Sequence, residues 1–174
     1  MQRAKYRNIQ NGMLFLTIFV LMFSFYIEYI HQLQPCPLCV MQRLCVLLLG
    51  FFCMVALVLS SLHRAKIITL IQCVLAIAGM YFAGRQVWLQ SLPIADQAAQ
   101  CIPGMNALLH YFSWFVVAKS FVLGSGDCAR IDWRWLGISI PVWSMMYYSI
   151  VLVISGYLYV TIVKTLRVTS KFKK

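Results

Sequence analysis

Only four acidic side chains stand in the 174 residues of this chain, against fifteen lysines and arginines. A soluble domain carries charge on about a quarter of its residues. Here charged residues make up 11%, hydrophobic residues 62%, and mean hydropathy is +0.81. That composition excludes an ordinary soluble globular protein. The sequence also lacks a glycine-rich phosphate loop, a flavin fingerprint and a haem-attachment run, because Val40 stands where the histidine after Cys39 would be. It has no internal repeat and no low-complexity tract. After the basic start "MQRAKYRNIQNGMLFLTIFV" no small-x-small cleavage site follows. The apolar run is also longer than a signal-peptide core, so a retained first span is expected.

What the sequence has in abundance is apolar runs of 15 to 22 residues. About 20 helical residues cross a hydrocarbon core. Four spans are expected, at about 13–32, 44–62, 67–89 and 142–163. All should be helices, because in lipid each segment must satisfy its own backbone groups. The expected fold is an all-α membrane protein, a single domain over 1–174 built as a four-transmembrane-helix bundle.

The net charge of +11 would suggest nucleic acid in a soluble protein, but its distribution points to a membrane. Arg3, Lys5, Arg7, Arg64, Lys66, Lys164, Arg167, Lys171, Lys173 and Lys174 all fall on one side of four crossings. Only Arg43, Arg85, Lys119, Arg130 and Arg134 fall on the other. The positive-inside rule puts both termini in the cytoplasm and two loops, about 33–43 and 90–141, outside. In a Gram-negative bacterium that places the protein in the inner membrane with both loops periplasmic. In the second loop, "GMNALLHYFSWFVVAKSF" is apolar and aromatic but short for a span. It is expected to lie in the interface, since a fifth span would carry the C-terminal basic cluster outward.

Seven cysteines divide by position. Cys45, Cys53 and Cys73 lie inside expected spans, where cysteine acts as a small apolar residue. Cys36, Cys39, Cys101 and Cys128 lie in the outward loops, an oxidising compartment, so two disulfides are expected there. The simplest pairing is within loops, Cys36 with Cys39 and Cys101 with Cys128. The second closes a loop long enough for an ordinary staple, whereas a ring as small as Cys36–Cys39 restricts little chain entropy. A Cys-x-x-Cys is more often a redox couple or half of a metal site. Zinc is disfavoured because Cys101 and Cys128 stand 27 positions apart rather than in a second Cys-x-x-Cys, and no metal is expected.

Pro35 and Pro37 resist helix, so the second helix should start at or near Cys39. A thiol at a helix N-terminus faces unpaired N–H groups and the positive end of the dipole, which favour its thiolate. Arg43, four residues on, would lie on the same face and act in the same direction. It could equally be a snorkelling residue that caps the span. Arg85, near the outer end of span three, could support the same site or anchor its helix. The acceptor available to a dithiol at the membrane interface is a lipid-soluble quinone.

The stretches "CPLCVMQR", "AGRQVWLQSLP", "CIPG" and "GSGDCARIDWRWLGISIPVWS" resemble the disulfide bond formation protein B family, the quinone reductases that reoxidise the periplasmic thiol oxidase DsbA. The resemblance covers nearly the whole chain. It implies that reduced DsbA attacks Cys101, that Cys128 leaves and attacks Cys36, and that Cys39 is released as the thiolate that meets the quinone. Arg43 would then lie beside the quinone ring. The implied cofactor is ubiquinone or menaquinone, and the implied partners are a DsbA-like oxidase and the lipid bilayer, with the protein acting as a monomer. Asp127 and Trp133 match the family's "GDC…W" pattern without an assigned chemistry. A DsbA disulfide is strongly oxidising, near about −120 mV, so only an acceptor well above that potential could recharge it. Rival readings are a specialised relative serving a dedicated oxidase, a vitamin K epoxide reductase-like enzyme, and a membrane metal-binding protein. In the second of these the Cys-x-x-Cys comes late in the chain rather than between spans one and two.

Overall fold

Long apolar stretches without helix breakers make long helices, and each expected span is one in the computed structural model, which describes residues 2–32, 36–58, 61–92, 114–124, 126–129 and 134–172. The elements are α1 (Gln2–His31), α2 (Pro37–Val58), α3 (Leu62–Gln90), a short α4 (Trp114–Leu123), a 3-10 turn (Gly126–Ala129), β1 (Arg134–Trp135), β2 (Ile138–Ser139) and α5 (Ile140–Phe172). Among the described residues, α1, α2, α3 and α5 are long and apolar enough to cross a membrane. The helices overrun most of the expected spans. A hydropathy window ends where polar residues begin, whereas a helix ends where backbone hydrogen bonding is interrupted.

The bundle is turned out toward lipid. Phe15, Phe19, Met22, Tyr29, Phe51 and Val153 are exposed on its surface, while Gln10, Thr17, Gln42, Thr69, Gln72, Gln86 and Ser155 are buried. With lipid as apolar as the side chains, helix association falls to close packing and interhelical hydrogen bonds. Both are present. Ala76, Gly79 and Ala83 give α3 a smooth face against which Tyr147, Tyr148 and Val151 of α5 pack. A Cβ at Gly79 would land inside the Tyr148 ring. Thr17 of α1 donates to the Met13 carbonyl at 2.7 Å and shares a 2.9 Å hydrogen bond with Tyr147 of α5. Gln10 of α1 and Gln72 of α3 exchange two amide hydrogen bonds of 3.1 and 3.0 Å.

α4 has 10 residues, about 15 Å of helix, far short of a crossing. Trp114 and Phe115 at its start are 85% and 80% exposed, which suits the interfacial placement expected for this segment. Residues 104–113 of that expected helix lie outside the described residues. β1 and β2 pair antiparallel, Arg134 with Ser139 and Trp135 with Ile138. Their two-residue turn, Leu136 (φ 53°) and Gly137 (φ 79°), has the positive φ values of a type I′ hairpin.

Candidate functional site

α2 begins at Pro37, two residues earlier than the sequence suggests. Proline is tolerated at the first helical position because its missing N–H would be unpaired there in any case. Cys36 thereby becomes the N-cap: its carbonyl accepts the first helical bond from Val40 N–H at 3.1 Å. Its sulfur also accepts from Cys39 N–H at 3.4 Å, the bond a serine hydroxyl makes at such a position. Cys39 therefore sits in the first turn, at the positive end of the helix dipole, as expected from its place at a helix terminus.

The two sulfurs are free thiols 2.9 Å apart, with Cys36 Sγ donating to Cys39 Sγ. Cys128, on the 3-10 turn, is fully buried and packs with Cys36. Cys36, Leu38, Leu89, Cys128 and Ala129 form one small apolar cluster. The contacts with Cys128 and Cys39, and then burial, push the Cys36 thiol well above its ordinary range. Within the pair Cys36 is thus the donor and Cys39 the acceptor.

The turn that carries Cys128 is held from two directions. Gly124, at φ +86°, ends α4 with its N–H on the Ser120 carbonyl at 2.9 Å. A Cβ there would stand 2.6 Å from Leu89 and 2.8 Å from Leu38, so only glycine lets the chain turn this tightly against α2 and α3. Arg85 of α3 donates from Nε to the Leu123 carbonyl at 3.1 Å and stacks over Trp88, its guanidinium carbon 4.2 Å from the ring centroid. Through these contacts Arg85 ties α3 to the end of α4, next to the turn that carries Cys128. Asp127 lies in the same turn as Cys128.

Arg43 turns toward α1. It forms an ion pair with Glu28, donates from Nε to Ser24 Oγ at 2.9 Å and from a terminal nitrogen to the Ser24 carbonyl at 3.5 Å, and lies over Phe25. The polar group against the Cys39 sulfur is instead Gln86, whose Nε2 lies 3.2 Å from Cys39 Sγ and 3.6 Å from Cys36 Sγ. Gln86 Oε1 accepts from Gln42 Nε2 at 2.7 Å, and both amides are buried. Glu28, Gln42, Gln86 and Gly124 are absent from the sequence-based site. For Glu28, Gln42 and Gln86 the available signal is polarity in an apolar segment, since a polar residue at membrane depth is costly and marks function by default. Cys45, Cys53 and Cys73 are also free thiols and stand apart from this cluster, in the apolar interior of α2 and on α3. Cys101 and Trp133 lie outside the described residues.

A helical bundle with thiols gathered at one end of its membrane helices defines a multi-pass membrane thiol protein. The family model described as "Disulfide bond formation protein DsbB" matches residues 6–158. The protein named "Disulfide bond formation protein B" in Acinetobacter baumannii is 35% identical over 154 residues, covering 87% of this chain and 90% of its own. Its namesake in Marinobacter nauticus is 39% identical over 149 residues, with 82% and 86% covered, and that in Hahella chejuensis 39% over 138, with 76% and 81% covered. The chain belongs to the disulfide bond formation protein B family, as a disulfide-forming membrane oxidoreductase.

Proposed function

We propose that the protein reoxidises a DsbA-like thiol oxidase on the periplasmic side of a bacterial inner membrane and passes the electrons to a membrane quinone, ubiquinone or menaquinone. The observation that carries this reading is the meeting of Cys128, from the second loop, with the Cys36–Cys39 pair at the N-terminus of α2. Loop-to-loop exchange needs that juxtaposition.

The exchange balances as follows. A thiolate of the reduced partner attacks Cys101 of a Cys101–Cys128 disulfide, and Cys128 leaves as thiolate. Cys128 attacks Cys36 of the Cys36–Cys39 disulfide; the new bond is Cys128–Cys36, and Cys39 leaves with the electron pair. The partner's second thiol then displaces Cys101, which in turn displaces Cys36 from Cys128. The partner departs oxidised, the Cys101–Cys128 disulfide is restored, and Cys36 and Cys39 hold two electrons and two protons. A quinone, when bound, takes up both electrons and both protons as the Cys36–Cys39 disulfide re-forms.

Arg43 suits such a group. A guanidinium carries five N–H donors. Glu28 and the two Ser24 acceptors engage one N–H on each of its three nitrogens, leaving one on each terminal nitrogen for a carbonyl oxygen. Phe25, which Arg43 overlies, and Leu44 and Leu47, close to Arg43 along α2, present apolar surface to lipid, the medium from which a quinone arrives.

The test is to mix the purified protein with reduced DsbA and a quinone and follow quinone absorbance. Turnover is expected with the native chain. Cys101→Ser should abolish turnover with DsbA while the Cys36–Cys39 pair, reduced chemically, is still reoxidised by quinone. Normal turnover of DsbA by Cys101→Ser would overturn the relay.

A further inference from the structure

In the relay proposed above, Cys39 must leave as a thiolate, yet its residue is only partly exposed. A partly desolvated sulfur anion without a hydrogen-bond donor is costly. The helix N-terminus supplies part of the compensation. A second donor is in place on a neighbouring helix: Gln86 of α3, 5% exposed, whose Nε2 is 3.2 Å from Cys39 Sγ.

An amide has two faces, and a glutamine left to itself could present either its oxygen or its nitrogen to the sulfur. Here the choice is fixed by a third residue. Gln42, one turn along α2 from Cys39 and 6% exposed, donates to Gln86 Oε1 at 2.7 Å. With Gln42 on its oxygen, which also lies 3.6 Å from Cys39 Sγ, Gln86 brings its NH2 group closer to that sulfur, at 3.2 Å, and to Cys36 Sγ at 3.6 Å. Gln42 is itself held, because Tyr148 of α5, seated over Gly79, donates to the Gln42 carbonyl at 2.7 Å.

We infer that Gln86 is a further catalytic residue, whose amide N–H stabilises Cys39 as the leaving thiolate, and that Gln42 is the residue that positions it. This rests on Cys36–Cys39 being the redox couple of the proposed function. It adds a specific control over how readily that couple accepts electrons. Removing the donor destabilises the reduced pair and leaves the disulfide untouched, so the couple becomes a weaker oxidant.

The experiment uses the full-length protein in detergent, with Cys101→Ser and Cys128→Ser to isolate the couple. The ratio of disulfide to dithiol is read in graded dithiothreitol, with no quinone and no partner oxidase present. A hydrogen bond to a charged group corresponds to about 10- to 100-fold in an equilibrium. Gln86→Leu should shift the equilibrium toward the disulfide by about tenfold, at the lower end of that range because sulfur is a weak acceptor. Gln86→Glu, of the same shape but presenting a carboxylate, should shift it further. Gln86→His, which keeps an N–H, should restore most of the native value, and Gln42→Leu should give part of the shift. Alkylation of Cys39 across pH should report the same order.

Should Gln86→Leu fold poorly because Gln42 is left unpaired, the double variant Gln42→Leu with Gln86→Leu removes both polar groups and should show the full shift. An unchanged equilibrium in Gln86→Leu and in the double variant, or an equal shift from Gln72→Leu at the other end of the bundle, overturns the inference. A native couple that does not cycle in dithiothreitol at all overturns the proposed function with it.

Discussion

Two buried glutamine pairs, at opposite ends of the bundle, each place an amide against a cysteine sulfur, and they are bonded differently. Near the chain termini, Gln10 and Gln72 satisfy one another through two bonds, and Gln72 also reaches Cys53 Sγ at 3.3 Å. At the other end Gln42 and Gln86 share a single bond, and the NH2 group of Gln86 faces Cys39 and Cys36. The first pair is closed and the second open. Cys53 lies in the interior of α2 with no second sulfur bonded to it, whereas Cys39 lies in the first turn beside Cys36. In the proposed relay the reactive sulfur is the one that has a helix terminus, a neighbouring thiol and an amide donor together.

The comparison predicts the largest contrast for the sulfurs themselves. Cys39→Ser should reduce quinone-coupled turnover to background, while Cys53→Ser should leave turnover per folded molecule unchanged; steady-state assays on both separate the two ends. Loss of turnover in Cys53→Ser would break the distinction. Next comes the charge at the open end. Arg43→Met should raise the quinone KM by about 10- to 100-fold, the worth of a hydrogen bond to a charged group. Arg43→Lys should be milder because it keeps the charge and loses the planar fork. Glu28→Gln should fall between Arg43→Lys and the native protein, since Ser24 still holds the guanidinium. An unchanged quinone KM in Arg43→Met would remove that residue from the site.

A smaller effect is expected at Gly124. A side chain at φ +86° costs about 1–2 kcal/mol, and a Cβ there meets Leu38 and Leu89. Gly124→Ala should slow reoxidation of DsbA by about tenfold while leaving quinone oxidation of a chemically reduced Cys36–Cys39 pair intact, because only the segment carrying Cys128 is displaced. The smallest effect sharpens the contrast from the closed end. Gln72→Leu should lower stability by about 1–2 kcal/mol without altering quinone kinetics, and removing Gln10 as well should recover part of the loss because no amide is then left unpaired.

The sequence carries the architecture well and the site's supporting contacts poorly. Hydropathy finds the four spans because lipid imposes one requirement on every crossing helix. The two prolines put the start of α2 at or near Cys39, two residues late, because Pro37 breaks a helix interior and yet begins one comfortably. The thiols and Arg43 are legible from spacing along α2. Their partners are not, because Glu28, Gln86 and Gly124 come from α1, α3 and the end of α4, and nothing local in the chain says which helix faces which. The expectation that Arg43 acts directly on Cys39 followed from helical periodicity alone. The ion pair with Glu28 draws that side chain to α1, and Gln86 takes the place beside the sulfur.

The account rests on Cys128 reaching Cys36, and that step can be trapped. With Cys39→Ser and Cys101→Ser combined, Cys36 and Cys128 are the only members of the relay left, and mild oxidation followed by peptide mass spectrometry reads their connectivity. The account predicts a Cys36–Cys128 disulfide formed in high yield within single molecules. Recovery of both cysteines as free thiols, or linked only between molecules, would contradict it.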